Sequence, residues 1–153
     1  MATDAAALDS DTAPQLRAVI GRLSRRLRPT EAAVSAGLTP TRIAVLQAVT
    51  RRGPMRLSEL AATEGINPTM LSRVTADLVD AGLLERASDK GDRRAAWVKA
   101  TAAGRRLSDR MRRERTDAVS VALAALGDDD RELIERALPA LQDLAEHLAG
   151  GRP

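Results

Sequence analysis

The stretch "LSELAATEGINPTMLSRVTADLVDAG", residues 57–82, decides the fold. Its first nine residues predict a short helix that ends at Gly65. In the remainder, Asn67 is positioned to cap a second helix, Pro68 takes the first helical position, and Gly82 ends the pattern. Two short helices joined by a tight turn form a helix-turn-helix unit.

Secondary-structure signals extend this unit on both sides. Thr39 predicts the start of a preceding helix, and residues 55–57 predict a short extended segment before Ser58 caps the first helix of the pair. Beyond the second helix, the apolar runs 83–87 and 95–100 enclose a turn that contains glycine, and they predict an antiparallel hairpin. Helix, short strand, helix-turn-helix and hairpin, in this order, make a winged helix-turn-helix, in which the hairpin is the wing.

Long amphipathic helices flank the winged unit. We expect a flexible tail over residues 1–13, an N-terminal dimerisation helix over 14–37, the winged helix-turn-helix domain over 38–101, and C-terminal dimerisation helices over 102–153. Within the 14–37 segment we expect Pro29 to kink or end the helix, which resumes from Glu31. The terminal helices carry long apolar stripes, which the central unit is too small to cover. Exposed stripes of that size usually find a partner, which favours a homodimer over a bundle within one chain. The predicted fold class is mainly α with a small antiparallel β-hairpin.

The composition limits the chemistry of the chain. It has no cysteine and one histidine, His147, which excludes disulfides, cysteine-held zinc and a histidine-cluster metal site within the chain. We expect no cofactor and no enzyme activity, because the carboxylates fall mostly at helix caps or on outward helix faces. The acidic N-terminus does not resemble a signal peptide, and the longest uncharged run, of ten residues, is too short to span a bilayer. We therefore expect a cytoplasmic protein without a membrane partner.

Basic residues are concentrated in one segment. Residues 86–115 hold eleven basic and four acidic groups, a net charge of +7, whereas residues 116–153 have a net charge of −5. Such a concentration in about a fifth of the chain is what a phosphate-backbone partner selects, and it favours double-stranded DNA. The alternative function is a winged-helix module for protein–protein interaction, without specific DNA binding, which uses this charge only for solubility.

The second helix of the pair is the candidate recognition helix, because such a helix places its first turn nearest the base edges of the major groove. Hydroxyl groups and a guanidinium fork suit both base edges and phosphates. The candidate DNA-binding residues on this helix are Asn67, Pro68, Thr69, Met70, Ser72 and Arg73. Taken singly, Ser and Thr at a helix start are more often simple caps and an arginine such as Arg73 is more often only solvated, so it is the set as a whole that favours DNA binding.

The wing contains the sequence "SDKGDRRAAWV", residues 88–98. Its candidate DNA-binding residues are Lys90, Asp92, Arg93 and Arg94. An arginine at a hairpin tip suits the narrow minor groove, where the negative potential is strongest. Asp92 and Arg94 share a strand face, so the carboxylate can orient the guanidinium, while Arg93 faces a backbone phosphate. We expect Trp97 to seat the returning strand on the helices. The alternative is a solvated turn, whose salt bridge is worth at most about 1 kcal/mol.

Residues 57–107 resemble the core of the MarR family of transcriptional regulators. The resemblance lies in the paired short helices, in "DAGLLER" after the second helix, in "D..DRRA" in the wing and in "T..G" at the start of the next helix. It implies a pseudo-triangular homodimer with recognition helices in successive major grooves and wing arginines in the flanking minor grooves, where Arg94 is supported by Asp92. The implied function is a dimeric, sequence-specific repressor of palindromic operators whose half-sites lie about one helical turn apart.

The same resemblance implies that a small aromatic acid or another phenolic ligand, bound between the dimerisation helices and the DNA-binding lobe, releases the protein from DNA. The chain has neither phenylalanine nor tyrosine, so we expect a pocket with aliphatic walls and an arginine that holds a carboxylate. The candidate pocket residues are Ile20, Leu23, Ile43, Leu46, Met111 and Arg115. The alternative is that these side chains form ordinary core. The branch of the family that senses peroxide through cysteine is excluded by the composition.

Overall fold

The computed structural model describes residues 11–27, 30–88 and 96–150, which form seven helices and three strands. In chain order the elements are α1 (Thr12–Leu27), α2 (Glu31–Ser35), α3 (Pro40–Arg52), β1 (Met55–Arg56), α4 (Leu57–Glu64), α5 (Pro68–Asp80), β2 (Leu84–Ser88), β3 (Ala96–Ala100), α6 (Ala102–Ala124) and α7 (Asp128–Gly150). Most of the described chain is helical and the strands form one small antiparallel sheet, which confirms the predicted fold class.

The N-terminal segment becomes helical earlier than predicted. Helix α1 already begins at Thr12, inside the predicted tail, because Pro14 in a first helical turn lacks only an N–H that has no partner there. The segment over 14–37 forms two helices, α1 and α2, as the proline at position 29 of the sequence predicts. None of the side chains of α1 is buried, whereas Ala32 and Ala33 of α2 belong to the hydrophobic core.

The chain divides into two compact units, Met1–Arg115, called the core unit below, and Thr116–Pro153, called the C-terminal unit. The C-terminal unit contains the last part of α6 and α7, which continues through Pro139. Nine of its large apolar side chains are exposed in the single chain: Val119, Val121, Leu126, Leu133, Ile134, Leu138, Leu141, Leu144 and Leu148. Within the described residues, no helix combines the length and the apolar character that a membrane crossing requires.

The helix-turn-helix forms as the sequence predicts, apart from its first residue. Gly65 ends α4 in the left-handed conformation (φ 63°, ψ 33°), which glycine adopts without steric cost. The side chain of Asn67 accepts a hydrogen bond of 2.8 Å from the backbone N–H of Thr69 and so caps α5. Ser58 is not the cap of α4. The helix starts two residues earlier than that cap implies, at Leu57, because Arg56 of β1 takes the cap position without a side-chain hydrogen bond.

The sheet has the strand order β1-β3-β2, so the predicted hairpin gains a third, two-residue strand. Residues alternate between its faces, and Val98 and Ala100 of β3 are buried in the core, opposite Met55 and Leu84. Trp97 therefore lies on the other face, where the guanidinium of Arg56 sits 5.5 Å from the centre of the indole ring. Val98, and not Trp97 as we expected, therefore packs the returning strand β3 against the hydrophobic core.

The hydrophobic core lies around α3, which is central to the core unit. Four of its side chains, Val45, Leu46, Ala48 and Val49, are fully buried, and Leu60 of α4, Leu71 and Leu78 of α5, Leu84 of β2 and Met111 of α6 are buried with them. Each fully buried aliphatic side chain of this size stabilises the fold by about 1.5–3 kcal/mol relative to exposure. The same core therefore fixes the orientation of α5 and of the sheet that carries the wing.

A close backbone junction joins the start of α6 to the turn after α5. The hydroxyl of Thr101 donates to the carbonyl oxygen of Gly82 (2.7 Å) and accepts from the N–H of Gly104 (3.0 Å), and the N–H of Thr101 donates to the carbonyl oxygen of Leu83 (3.1 Å). Gly104 is required for this approach, because a Cβ atom on it would lie 2.1 Å from the carbonyl oxygen of Leu83. The junction thus ties the "T..G" motif of the sequence to the end of α5.

Candidate nucleic-acid interface

The candidate recognition helix α5 has two distinct faces. Leu71, Thr75 and Leu78 are buried in the core. The six residues predicted to contact DNA are all exposed: Asn67, Pro68, Thr69, Met70, Ser72 and Arg73. With Asn67 capping the helix and Met70 more than half exposed, the first turn presents an amide, hydroxyl groups, a thioether and a guanidinium on one side. These groups can reach hydrogen-bonding base edges, thymine methyl groups and phosphates.

One ion pair holds α5 against α3 in addition to the core. The Nη2 atom of Arg42 lies 2.5 Å from Oδ2 of Asp77, and about a third of each side chain is exposed. Solvent at this exposure reduces the energy of the pair to that of a surface salt bridge, about 1 kcal/mol or less. Its contribution is therefore mainly one of orientation, because it links the last turn of α5 to the first turn of α3.

The wing is described only up to the ends of its two strands. Its four candidate DNA-binding residues, Lys90, Asp92, Arg93 and Arg94, lie outside the described residues, so their predicted roles stay predictions. Five residue pairs connect β2 with β3, from Leu84–Ala100 to Ser88–Ala96. An ion pair of 3.2 Å between Lys99 and Glu85 crosses the strands. The paired strands thus form a regular two-stranded base for the predicted wing.

A cleft of about 800 Å³ opens on the core unit beside α1, α2 and α3. Its lining residues are Ser24, Leu27, Ala33, Val34, Leu38, Pro40, Thr41, Ile43, Ala44, Gln47, Glu64, Ile66 and Arg115. Two of the six predicted pocket residues, Ile43 and Arg115, are among them. The volume is within the range of small-molecule sites, and the walls combine aliphatic side chains with a few polar groups.

The other four predicted pocket residues do not line this cleft. Leu46 and Met111 are fully buried in the core, because each lies at the centre of the buried face of its helix. Ile20 and Leu23 are about half exposed on α1, which buries none of its side chains. Leu46 and Met111 therefore lie in the hydrophobic core, and Ile20 and Leu23 belong to an exposed apolar stripe.

Two adjacent residues of α6 hold the junction between α1 and α2 beside the cleft. Both carboxylate oxygens of Glu114 accept from the backbone N–H of Ala32, at 3.2 and 3.1 Å. The Nε–H of Arg115 donates to the carbonyl oxygen of Leu27 at 3.0 Å. An anion at the start of α2 and a cation at the end of α1 each match the dipole of the helix they contact. The sequence pattern did not indicate Glu114, because Glu114 lies 82 positions from Ala32, the residue that it contacts.

The comparisons with known proteins agree with this geometry. The MarR family matches residues 38–96, which run from just before α3 to the start of β3. An HTH-type transcriptional regulator of Mycobacterium tuberculosis is 30% identical over 141 residues, which cover 91% of this chain and 97% of that protein. The crystal structure of a putative transcriptional regulator from Pseudomonas aeruginosa is 30% identical, with a TM-score of 0.75 and coverage of 90% of this chain and 96% of that one.

A second similar structure contains a bound ligand. NadR in complex with 4-hydroxyphenylacetate is 23% identical to this chain, with a TM-score of 0.61 and coverage of 92% of this chain and 97% of NadR. At this identity the likeness shows a common fold. The common fold covers nearly the whole chain, including the helices that lie outside the 38–96 match.

Proposed function

Since the chain belongs to the MarR family of transcriptional regulators, we propose that it is a homodimeric repressor that binds palindromic operators and leaves them when a small aromatic acid binds. The observation that carries the proposal is the two-faced helix α5. Its buried face fixes it to the core, and its exposed first turn offers Thr69, Ser72 and Arg73 to a major groove. Family membership favours this function over a module that binds only proteins.

The wing supplies the second set of contacts in this proposal. Arg94 enters the minor groove next to the half-site, Asp92 orients it, and Lys90 and Arg93 contact backbone phosphates. This part rests on the sequence alone, since these residues lie outside the described ones. Arg94→Ala is expected to weaken operator binding by about 1–3 kcal/mol and to leave the dimer intact. Unchanged affinity would mean that the tip is a solvated turn.

A binding titration tests the role of α5. Fluorescently labelled duplexes selected from bound genomic fragments are compared with scrambled duplexes by anisotropy at several salt concentrations. The wild type should prefer the selected palindrome, and its affinity should fall steeply with salt. Arg73→Ala should lose about 1–3 kcal/mol and relax the preference at one base position. Arg136→Ala, which removes an exposed arginine from α7, is the control with the same charge change. Equal losses in the two variants would refute a groove contact of Arg73.

The exposed apolar side chains support the homodimer. Val19, Ile20 and Leu23 form a stripe on α1, and six further large aliphatic side chains are exposed along α7, from Leu133 to Leu148. We propose that residues 14–37 and 102–153 provide the dimer contacts and that residues 38–101 bind DNA. Sedimentation equilibrium should give about twice the chain mass of 16.3 kDa at micromolar concentration. A monomer that still binds the palindrome tightly would refute the dimer.

We propose the cleft beside Arg115 as the effector site. An arginine in an otherwise mostly aliphatic cleft suits a carboxylate attached to an apolar ring. The complex of NadR with 4-hydroxyphenylacetate gives an example of a related fold with such a ligand. A panel of small aromatic acids should include at least one that releases the wild type from its operator, and Arg115→Gln should need a higher concentration of it. An Arg115→Gln variant with an unchanged response would place the effector elsewhere.

The sign of regulation has its own experiment. A repressor should reduce transcription from a promoter that overlaps its palindrome in a purified transcription assay, and the active aromatic acid should restore it. Increased transcription would identify an activator instead. Because such a regulator acts on the chromosome, we propose a cytoplasmic location.

A further inference from the structure

The arginines of α6 within the core unit fall into two groups. Six of them lie between Ala102 and Arg115. Three are held in contacts inside the molecule. Arg105 donates from Nη1 to the carbonyl oxygen of Ala100 at 2.6 Å, Arg112 pairs with Asp109 at 3.0 Å, and Arg115 donates to Leu27 at 3.0 Å. These three have structural roles at the wing base, on the helix surface and at the end of α1.

The other three arginines, Arg106, Arg110 and Arg113, form what we call the arginine stripe. They are separated by four and three positions and so lie in one line along the helix. The buried residues of this part of α6, Gly104, Ser108 and Met111, lie on the opposite side of the helix. All three stripe side chains are exposed, and none makes a hydrogen bond or ion pair with any residue that the structure describes.

The stripe is unfavourable for the isolated helix. Like charges four positions apart on a helix repel each other by a few tenths of a kcal/mol. In α7, by contrast, Arg131 and Arg136 pair with Asp128 and Glu132 of their own helix. An exposed row of three guanidinium groups on one helix face is a surface that suits an anion from outside the molecule.

We propose that the arginine stripe binds the phosphate backbone of double-stranded DNA as a surface additional to α5 and the wing. The proposal rests on the proposed function in that DNA must reach the core unit. From Arg106 to Arg113 the stripe spans seven helical rises, about 10 Å, and B-DNA carries roughly six phosphate charges along that length of its axis. Three guanidinium groups can each contact one of these phosphates in fork geometry.

Two other polyanionic partners fit the stripe less well. A membrane-surface helix needs an apolar face free for lipid, but the apolar face of this part of α6 is buried in the core. The acidic start of α7 in a second chain offers Asp128, Asp129 and Asp130. Asp128 is already paired with Arg131, and carboxylates in a first helical turn are stabilised by their own helix dipole.

The test compares two triple variants with the same change in net charge. R106Q/R110Q/R113Q removes the stripe, and R112Q/R131Q/R136Q removes three arginines that have named ion-pair partners. Circular dichroism and sedimentation first establish that both variants are folded and assembled like the wild type. Anisotropy titrations then give the slope of log affinity against log salt for a long duplex that contains the selected site.

The stripe variant should show a slope that is smaller by about 2.7, which is 0.9 for each of three phosphate contacts. Between 50 and 200 mM salt, the factor by which its affinity falls should therefore be about forty times smaller than the factor for the wild type. It should keep its preference for the selected site over a scrambled one, and the control should keep the full slope. Equal slopes in the two variants, whether reduced or not, would overturn the proposal.

The two proposals can fail separately in this experiment. If the wild type binds every duplex equally while the slope still depends on the stripe, the sequence-specific function is wrong and the arginine stripe stands. If the wild type prefers its palindrome and Arg73→Ala weakens binding, but the stripe variant keeps the wild-type slope, only the stripe is refuted. A wild type that binds no DNA refutes both.

Discussion

Replacing Gly104 with alanine is expected to destabilise the protein, although the same change stabilises most helices. Gly104 lies in the first turn of α6, where its backbone passes the carbonyl group of Leu83. A Cβ atom there would be 2.1 Å from the carbonyl oxygen, 3.0 Å from the carbonyl carbon and 3.3 Å from Cδ1 of Leu46. Ordinary van der Waals contact begins at 3.4 Å, so α6 and Leu83 must separate by about 1.3 Å.

The size of the effect follows from what that separation breaks. It would stretch the hydrogen bonds from Thr101 to Gly82 (2.7 Å) and Leu83 (3.1 Å), each worth about 1 kcal/mol. Crowding against backbone and a buried leucine adds about 1–3 kcal/mol. The higher helix propensity of alanine offsets about 1 kcal/mol. The net loss is about 2–4 kcal/mol, or roughly 5–15 °C in melting temperature for a chain of this length.

Urea and thermal unfolding followed by far-ultraviolet circular dichroism measure this loss. Gly21→Ala is the matched control, because Gly21 also lies within a helix and the nearest atom to a Cβ there is Nη1 of Arg25, at 3.5 Å on a flexible side chain. That variant should be as stable as the wild type or more stable by up to about 1 kcal/mol. If Gly104→Ala behaves in the same way, the close approach at Leu83 does not limit this position and the reasoning is wrong.

Three further changes test the core and the caps. Leu60→Ala empties a fully buried site and should cost about 2–5 kcal/mol in urea unfolding, and a loss below 1 kcal/mol would contradict the tight packing around α3. Asn67→Ala should cost about 1 kcal/mol through the lost cap of α5, while Ser72→Ala on the exposed face should change stability by less than about 0.5 kcal/mol; similar losses in both would argue against capping. Glu114→Ala should cost about 1–2 kcal/mol in thermal unfolding, because the N–H of Ala32 loses its acceptor, and an unchanged midpoint would show that α2 does not depend on this contact.

Local patterns in the sequence were enough to predict the helix-turn-helix. Asn67, Pro68 and Gly82 each have a conformational preference that acts within a few residues, and α5 begins and ends where they indicate. The short strand β1 was predicted only as an extended segment. Two residues are too few for an alternating pattern, and their role depends on pairing with Val98 and Trp97, more than forty positions away.

The cleft could not be predicted from helical stripes. A stripe indicates which residues face inward, and Ile43, Leu46 and Met111 all do so, but it does not distinguish a residue in close-packed core from one that lines a cleft. That distinction depends on where other helices end. Glu64 lines the cleft because α4 ends there, and Arg115 does so because α1 ends at Leu27. Such contacts depend on loop geometry between elements, which the spacing of apolar residues does not encode.

The position of Trp97 on the outer face of β3 has a spectroscopic consequence. The chain contains no other aromatic side chain of the tryptophan, tyrosine or phenylalanine type, so its intrinsic near-ultraviolet emission comes from one indole. That indole lies at the base of the wing, next to the charged guanidinium of Arg56 and one residue after the strand begins at Ala96. The unlabelled protein therefore carries its own optical probe at the wing, and a shift in emission maximum or lifetime reports on that element without a background from the rest of the fold.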